Sequence, residues 1–489
     1  MAKIMLKYDH DKTPLFDALN KHIDDRVIPF DVPGHKQGNG NPELLRLFPK
    51  SVLEADVNSM KSLDFLCNPV SVIKEAEDMM AEAYGAEEAF FIVNGTTQAV
   101  QSMIMSAVSE NDTVIMPRNV HKSAINALIL CGAKPHYMYP YIEEAFGMTS
   151  GVSLEDIKTA IIEAPHAKSV FIINPTYYGV VSDLKAIIDY VHSKNMTVIV
   201  DEAHGAHFPF HEALPKSAMC LGADMAAVSL HKTGGSLTQS SVLLLNTDRI
   251  KRNHVKTIIN LTQSTSASYL LMTSLDLTRK FLMQEGQKKL EEVLALSKKA
   301  RDKINAIDGL IAFDFKDFDK RGCYGFDETK LGVNVTGIGL TGLHVYDILR
   351  DEYNIQVEMG DSHNILAILS VGDTEKRLNQ LIAALNAIST RYKKAPLNLT
   401  FKCFHSTEVK YSPRQAFYSE MERLSLKESI NRISGEFIMI YPPGIPIIAP
   451  GEVITEELYN YIELLKSENG TMSGLDDTEA NYIYCIKED

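Results

Sequence analysis

No two of the six cysteines (Cys67, Cys131, Cys220, Cys323, Cys403, Cys485) form a C-x-x-C pair in this 489-residue chain. That argues against zinc spacings and a disulfide framework, and it fits a reducing cytoplasm. No run reaches the ~18 apolar residues of a membrane span, and the opening MAKIMLKYDHDK lacks the apolar core of a secretion signal. Positive charge is in deficit, with 49 Lys+Arg against 63 Asp+Glu and a formal net charge of -14. Such a surface repels phosphate backbones and disfavours non-specific nucleic-acid binding. The dipeptide Gly-Lys is also missing. That absence decides one question at once. Residues 201–204 read Asp-Glu-Ala-His, the box of a helicase class, but a helicase needs a G-x-x-x-x-G-K-[ST] loop to hold its nucleotide. The helicase reading falls.

What is present is ordinary globular material, 45% hydrophobic and 23% charged, enough for two or three domains. No repeat or low-complexity tract interrupts it. Residues 1–60 read as an entry arm: a short helix, then DVPGHKQGNG (31–40), then LLRLF. Beyond it, FFIVNG (90–95), TVIMP (113–117), SVFIINP (169–175), TVIVDE (197–202) and MAAVSL (225–230) are short apolar runs. Helical stretches such as SDLKAIIDYVHSK (182–194) separate most of them. The pattern predicts an α/β fold with a mostly parallel sheet covered on both faces. SVLLLN (241–246) follows its predecessor so closely that an antiparallel member is expected. A long helix over roughly 268–306 then leads to a smaller α+β region, with strands expected near GVNVTG (332–337), NIQVEM (354–359) and NILAILS (364–370). A third patch ends in EFIMIYPPGIPIIAPGE (436–452), whose prolines impose an extended course.

In such sheets ligands bind beyond the carboxyl ends of the strands. Here those ends carry NGTTQ, PRNVHKS, NPTYYG, DEAHGAH and SLHKTGG. Five polar or Gly-rich ends in succession describe one pocket. Lys232, taken alone, reads as a loop lysine. Held amid apolar walls, a lysine gives up its proton more readily and can form a Schiff base with an aldehyde. Pyridoxal 5'-phosphate (PLP) uses that chemistry and wants a carboxylate at its pyridine nitrogen. Asp201 supplies one; alone it could equally be a helix cap. Ala203 is small enough for a flat ring to lie against it, and His204 could pack beside the ring or touch a substrate carboxylate. His207 and Glu202 read as structural. Gly95, Thr96 and Thr97 open a helix and offer amides and hydroxyls to a phosphate. Ser229 and His231 flank the lysine and could hold the same phosphate. His121 could stack on an aromatic ring or simply cap a helix.

With these residues in place, the chain resembles the Orn/Lys/Arg decarboxylases, a family of fold-type I PLP enzymes. The resemblance runs through PGHKQG (33–38), FIVNGTTQA (91–99), PRNVHKS (117–123), NPTYYG (174–179), DEAHGAH (201–207), SLHKTGGSLTQSS (229–241), TSASYLLMTSLD (265–276) and YPPGIP (441–446). It is nearest the short bacterial biosynthetic arginine decarboxylases. Only about 30 residues precede PGHK, so the N-terminal wing of the long, decamer-forming members is not expected. The resemblance implies that Lys232 binds PLP covalently and Asp201 pairs with the pyridine nitrogen. It implies His121 on one ring face and Ala203 on the other, with Thr96, Thr97, Ser229 and His231 at the phosphate. It also implies that the Thr262–Ser266 stretch, Thr265 included, reaches the phosphate of a neighbouring subunit, so a homodimer is the minimal active form. Thr97 stands where relatives often have Ser, and LCNP (66–69) departs from the His or Ala that relatives carry before the Pro. The implied domains are an arm (1–60), a large PLP-binding domain (61–300), a small α+β domain (301–395) and a C-terminal domain (396–489).

The expected reaction is loss of the α-carboxylate of a basic amino acid, with Lys232 or His231 returning a proton to Cα. The resemblance favours L-arginine giving agmatine and carbon dioxide, as in polyamine biosynthesis; lysine and ornithine are the alternatives. The distal cation needs a carboxylate, for which Glu436 is the first choice and Glu358 and Asp361 are weaker ones. An aminotransferase, a β-eliminating lyase and a silent PLP-binding regulator are the competing readings, and the retained Lys232, Asp201 and His121 count against the last.

Overall fold

The computed structural model describes residues 6–246, 248–399, 408–440, 445–467 and 472–488. Seven strands make the main sheet: β1 (Glu88–Ile92), β2 (Thr113–Pro117), β3 (Lys134–Met138), β4 (Ser169–Ile173), β5 (Thr197–Asp201), β6 (Met225–Val228) and β7 (Ser241–Leu245). Their order is β1-β7-β6-β5-β4-β2-β3. β2 pairs in parallel with β3 and β4, whereas β7 is antiparallel to both β1 and β6, as the short β6–β7 connection requires. β2, β6 and β7 are buried at every position, which is why they read as unbroken apolar runs. Helices Gly95–Ala107, Lys122–Cys131, Leu154–Glu163 and Leu184–Ser193 supply the crossovers. Three of them start on local caps: His121 accepts the Ser123 amide, Ser153 and Asp156 form a capping box, and Asp183 accepts the Ala186 amide.

The chain divides into two compact units. The first comprises Met1–Ser106 and Val200–Glu291. Its arm begins with helix Pro14–Asp24, which buries Leu15 and Leu19. Thr13 offers that helix no side-chain cap; instead the Leu15 and Phe16 amides donate to the buried Asp276 at 3.0 and 3.3 Å. Arg279 completes the anchor, donating to Asp276 and to the His10 carbonyl.

The second unit comprises Ala107–Ile199 and Glu292–Asp489. It holds a four-stranded antiparallel sheet with strands Ile311–Ala312, Lys330–Asn334, Asn364–Ile368 and Met359–Gly360. Helices Gly342–Tyr353 and Glu375–Tyr392 belong to it, and its core includes Leu331, Ile365, Leu349 and Leu385. Nearer the C-terminus, Ile438–Ile440 lies between Ile445–Ile448 and Met472–Ser473, and Met421–Ser425 pairs with Tyr482–Ile486. Pro446 sits on an edge strand, where its missing N–H is tolerated. Tyr441–Gly444 of the YPPGIP motif lie outside the described residues.

One expectation needs correcting, and one strand was not expected. NIQVEM is not a strand: Asn354 takes φ 53° as the cap of the preceding helix, and pairing begins only at Met359–Gly360. KPHYM, which carries no apolar run, forms edge strand β3. Among the described residues, no helix is long and apolar enough to cross a membrane.

Candidate active site

In the first unit, the ends of β1, β5, β6 and the start of β7 bring the predicted groups together. Helix Gly95–Ala107 begins directly beyond β1. Gly95 adopts φ +72°, and a Cβ built there would meet nothing within 4 Å. Open space therefore lies at this helix N-terminus, where free amides favour an anion. Thr96 Oγ1 hydrogen-bonds Ser229 Oγ and lies 2.6 Å from Ser241 Oγ. Three hydroxyls from three elements thus converge beside Gly95. Thr97 is exposed on the first turn. Ser241 was not foreseen. The signal was its place at the start of an apolar strand whose antiparallel partner ends at Ile92, just before the Gly-Thr-Thr turn.

Lys232 lies in the short helix Leu230–Thr233 after β6 and is half-buried. Its Nζ is 2.9 Å from His204 Nε2. Asp201, at the end of β5, is 8% exposed, and its Oδ1 accepts the Ala203 amide at 3.1 Å. Burial pushes the Asp201 carboxyl above its ordinary range, while the Lys232 charge and the Ala203 amide pull the other way. A buried carboxylate near an amine, with an open hydroxyl-lined cradle, is the donor set a phosphorylated pyridine aldehyde needs. His231 Nδ1 donates to the Ser240 carbonyl at 2.9 Å, so that nitrogen carries the ring proton.

Other members of the string hold the scaffold. Glu202 accepts the Ala218 amide at 2.7 Å, and burial holds its carboxyl well above the usual range. His207 Nδ1 meets Thr233 Oγ1 at 3.0 Å. Thr262 ends helix Arg252–Thr262 and accepts from Gln98 Nε2 at 3.2 Å, while Thr265 beyond it is exposed.

The remaining candidates lie in the second unit. His121 caps helix Lys122–Cys131, its Nδ1 accepting the Ser123 amide at 3.2 Å. Glu436 is half-buried, and its two oxygens accept the Asp476 and Tyr484 amides at 2.8 and 2.7 Å. Asp361 accepts from the Tyr178 hydroxyl and from the His363 and Asn364 amides, which makes it the organiser of its own turn. Glu358 is exposed.

Residues 13–330 match the model of the Orn/Lys/Arg decarboxylase major domain, and residues 398–481 match that of the Orn/Lys/Arg decarboxylase C-terminal domain. The chain is 41% identical to a Bacillus subtilis protein named arginine decarboxylase, over 98% of both chains. It shares 41% identity, again over 98% of each, with the arginine decarboxylase of Halalkalibacterium halodurans. The crystal structure of a Francisella novicida lysine decarboxylase superposes with TM-score 0.86 at 21% identity, covering 97% of this chain and 81% of that one. Strand ends that looked like separate weak signals therefore have a common origin: the chain belongs to the Orn/Lys/Arg decarboxylase family.

Proposed function

We propose that this protein is a PLP-dependent arginine decarboxylase that releases carbon dioxide and agmatine in the cytoplasm, acting as a homodimer. The observation that carries the cofactor reading is the Lys232–His204–Asp201 arrangement beside the Thr96–Ser229–Ser241 hydroxyls. The choice of arginine is supported by 41% identity, over nearly the whole chain, to proteins named for it.

When bound, PLP supplies an electron sink for the pair left behind as the carboxylate departs. The chain's own residues do the rest. Lys232 Nζ is the attachment point, and His204, within hydrogen-bonding distance, can accept a proton from it or return one. Asp201 would hold the ring nitrogen; a carboxylate already resisting ionisation through burial would gain most from sharing that nitrogen's proton. Thr96, Thr97, Ser229, Ser241 and His231 would bind the phosphate together with the helix N-terminus. His121 and Ala203 are the residues proposed to confine the ring. Glu436 is the group proposed to meet the distal cation. Each of its oxygens accepts one amide and keeps a further lone pair for a guanidinium.

The dimer is supported by the apolar side chains that the first unit leaves in water. Phe30 is 95% exposed and Leu47 77%, and Ile28, Val70 and Leu261 are similarly bare. A large exposed apolar set on a folded chain marks an interface.

The test is spectroscopic and chemical. Purified protein should show a visible cofactor band that borohydride bleaches while fixing the cofactor at Lys232. It should release carbon dioxide from arginine. Absence of the band removes the enzyme reading; keto-acid formation without carbon dioxide moves the protein to aminotransferase chemistry.

A further inference from the structure

Arg118 stands directly after the last residue of β2 and three positions before His121. It is among the largest fully buried side chains of the protein. A buried guanidinium survives only if its charge and its donors are satisfied. Here Glu452 meets it as a fork: Nε donates to Oε1 and a terminal nitrogen to Oε2, both at 2.7 Å, with both side chains 1% exposed. The terminal nitrogens also donate to the Pro446 carbonyl at 2.8 Å and the Ile447 carbonyl at 3.2 Å. The Tyr137 ring covers the guanidinium at 5.6 Å.

The hydrogen bonds among these contacts all fall on one stretch, Ile445–Glu452, which continues the YPPGIP motif. Glu452 passes the constraint on. Its Oε2 accepts the Ala449 amide at 2.8 Å, and its carbonyl accepts the Ser434 amide at 2.8 Å. Ser434 Oγ in turn donates to the Glu436 carbonyl at 2.7 Å and accepts the Glu436 amide at 3.3 Å. A continuous set of hydrogen bonds thus links Arg118 to Glu436. A planar fork gripping a carboxylate and two successive carbonyls tolerates little slippage.

We infer that Arg118 is a positioning residue for substrate recognition: through Glu452 it fixes Ile445–Glu452, and with it Ser434 and Glu436, against the strand end that carries His121. The inference rests on the reading that Glu436 meets the distal cation of the substrate.

Arg118→Lys keeps the charge and loses the fork. The measurements, on the holoenzyme, are kcat and KM for arginine, the cofactor absorbance, and hydrogen exchange at Ser434, Glu436 and Ala449. KM should rise about tenfold, the equivalent of one charge-assisted hydrogen bond, with kcat within about threefold of wild type. Cofactor absorbance should be unchanged and exchange over the segment faster. Unchanged exchange, or faster exchange with unchanged KM, overturns the inference. If Arg118→Lys does not fold, Arg118→Met combined with Glu452→Met removes the buried charges together and carries the same expectation. Glu436→Gln separates this inference from the reading beneath it. A KM rise in Glu436→Gln without one in Arg118→Lys overturns the inference and leaves Glu436 as reader. A rise in Arg118→Lys without one in Glu436→Gln upholds the positioning role and removes Glu436 as its target.

Discussion

Lys232 and Asp201 stand together at the strand ends, Asp201 close enough to feel the Lys232 charge, whereas the neighbouring buried Glu202 is engaged with the Ala218 amide. Lys232→Ala should abolish turnover and the borohydride-fixed cofactor; a mutant that still decarboxylates would contradict the mechanism. Asp201→Asn keeps the shape and the Ala203 contact but cannot hold a proton for the ring nitrogen. We expect kcat to fall by about 10²-fold or more with folding intact, measured by turnover alongside circular dichroism. At this scale much was legible in the sequence. Asp201, Ala203, His204, Ser229 and Lys232 are polar or small residues standing where apolar strands stop, and strand ends are where such sheets bind ligands. Ser241 was not, because it opens a strand and only tertiary pairing brings it to Thr96. Nor was Arg118, whose partner lies far along the chain at Glu452.

Among the elements, helix Val72–Tyr84 carries an informative strain. Glu77 on it is buried, and its Oε1 accepts the Phe91 amide of β1 at 2.9 Å. Burial pushes its pKa up to about 8, against the pull of that amide and of Lys74 and Arg252. A raised folded-state value means stability present below the unfolded carboxyl range and lost as pH rises through about 8. Glu77→Gln retains the amide contact without the charge. It should flatten the loss of melting temperature between pH 5 and pH 8 and stabilise the protein at the upper end by on the order of 1 kcal/mol. An unchanged pH profile would show that Glu77 is not the group responsible.

The loop before that helix has the opposite sign. Asp64 accepts the Val70, Ser71 and Ile73 amides, which follow the LCNP segment directly. Burial would raise its carboxyl, but the amides of Ser71, Phe65 and Val70 hold it below the ordinary value. Its contribution is therefore present above about pH 4 and lost as pH falls through the lowered value. Asp64→Asn should cost about 1–3 kcal/mol near neutral pH and blunt acid unfolding, read by thermal melts from pH 3 to 7. Element types were legible wherever burial is two-sided, since unbroken apolar runs have no competing explanation. Edge strand β3 escaped because one side faces solvent and its sequence, KPHYM, is polar. NIQVEM misled because its alternating pattern lies mostly beyond a helix cap at Asn354 rather than in a ladder.

For the molecule as a whole, assembly is the consequence least visible in one chain. Phe30 and Leu47, largely exposed on the arm, are where the proposed dimer can be tested. Light scattering should give twice the chain mass for the wild type. Phe30→Glu combined with Leu47→Glu should shift the protein toward monomer and lower cofactor retention; a monomeric, fully active wild type would contradict the dimer. The family was legible because its motifs sit in fixed order along most of the chain. Substrate choice was not, because a guanidinium and an ammonium differ in the geometry of their partner rather than in residue type. Purified holoenzyme offered arginine, lysine and ornithine, with carbon dioxide and product amine followed together, tests the central claim most directly. Release of carbon dioxide and agmatine with the highest kcat/KM for arginine is the predicted result. No carbon dioxide from any of the three would contradict it.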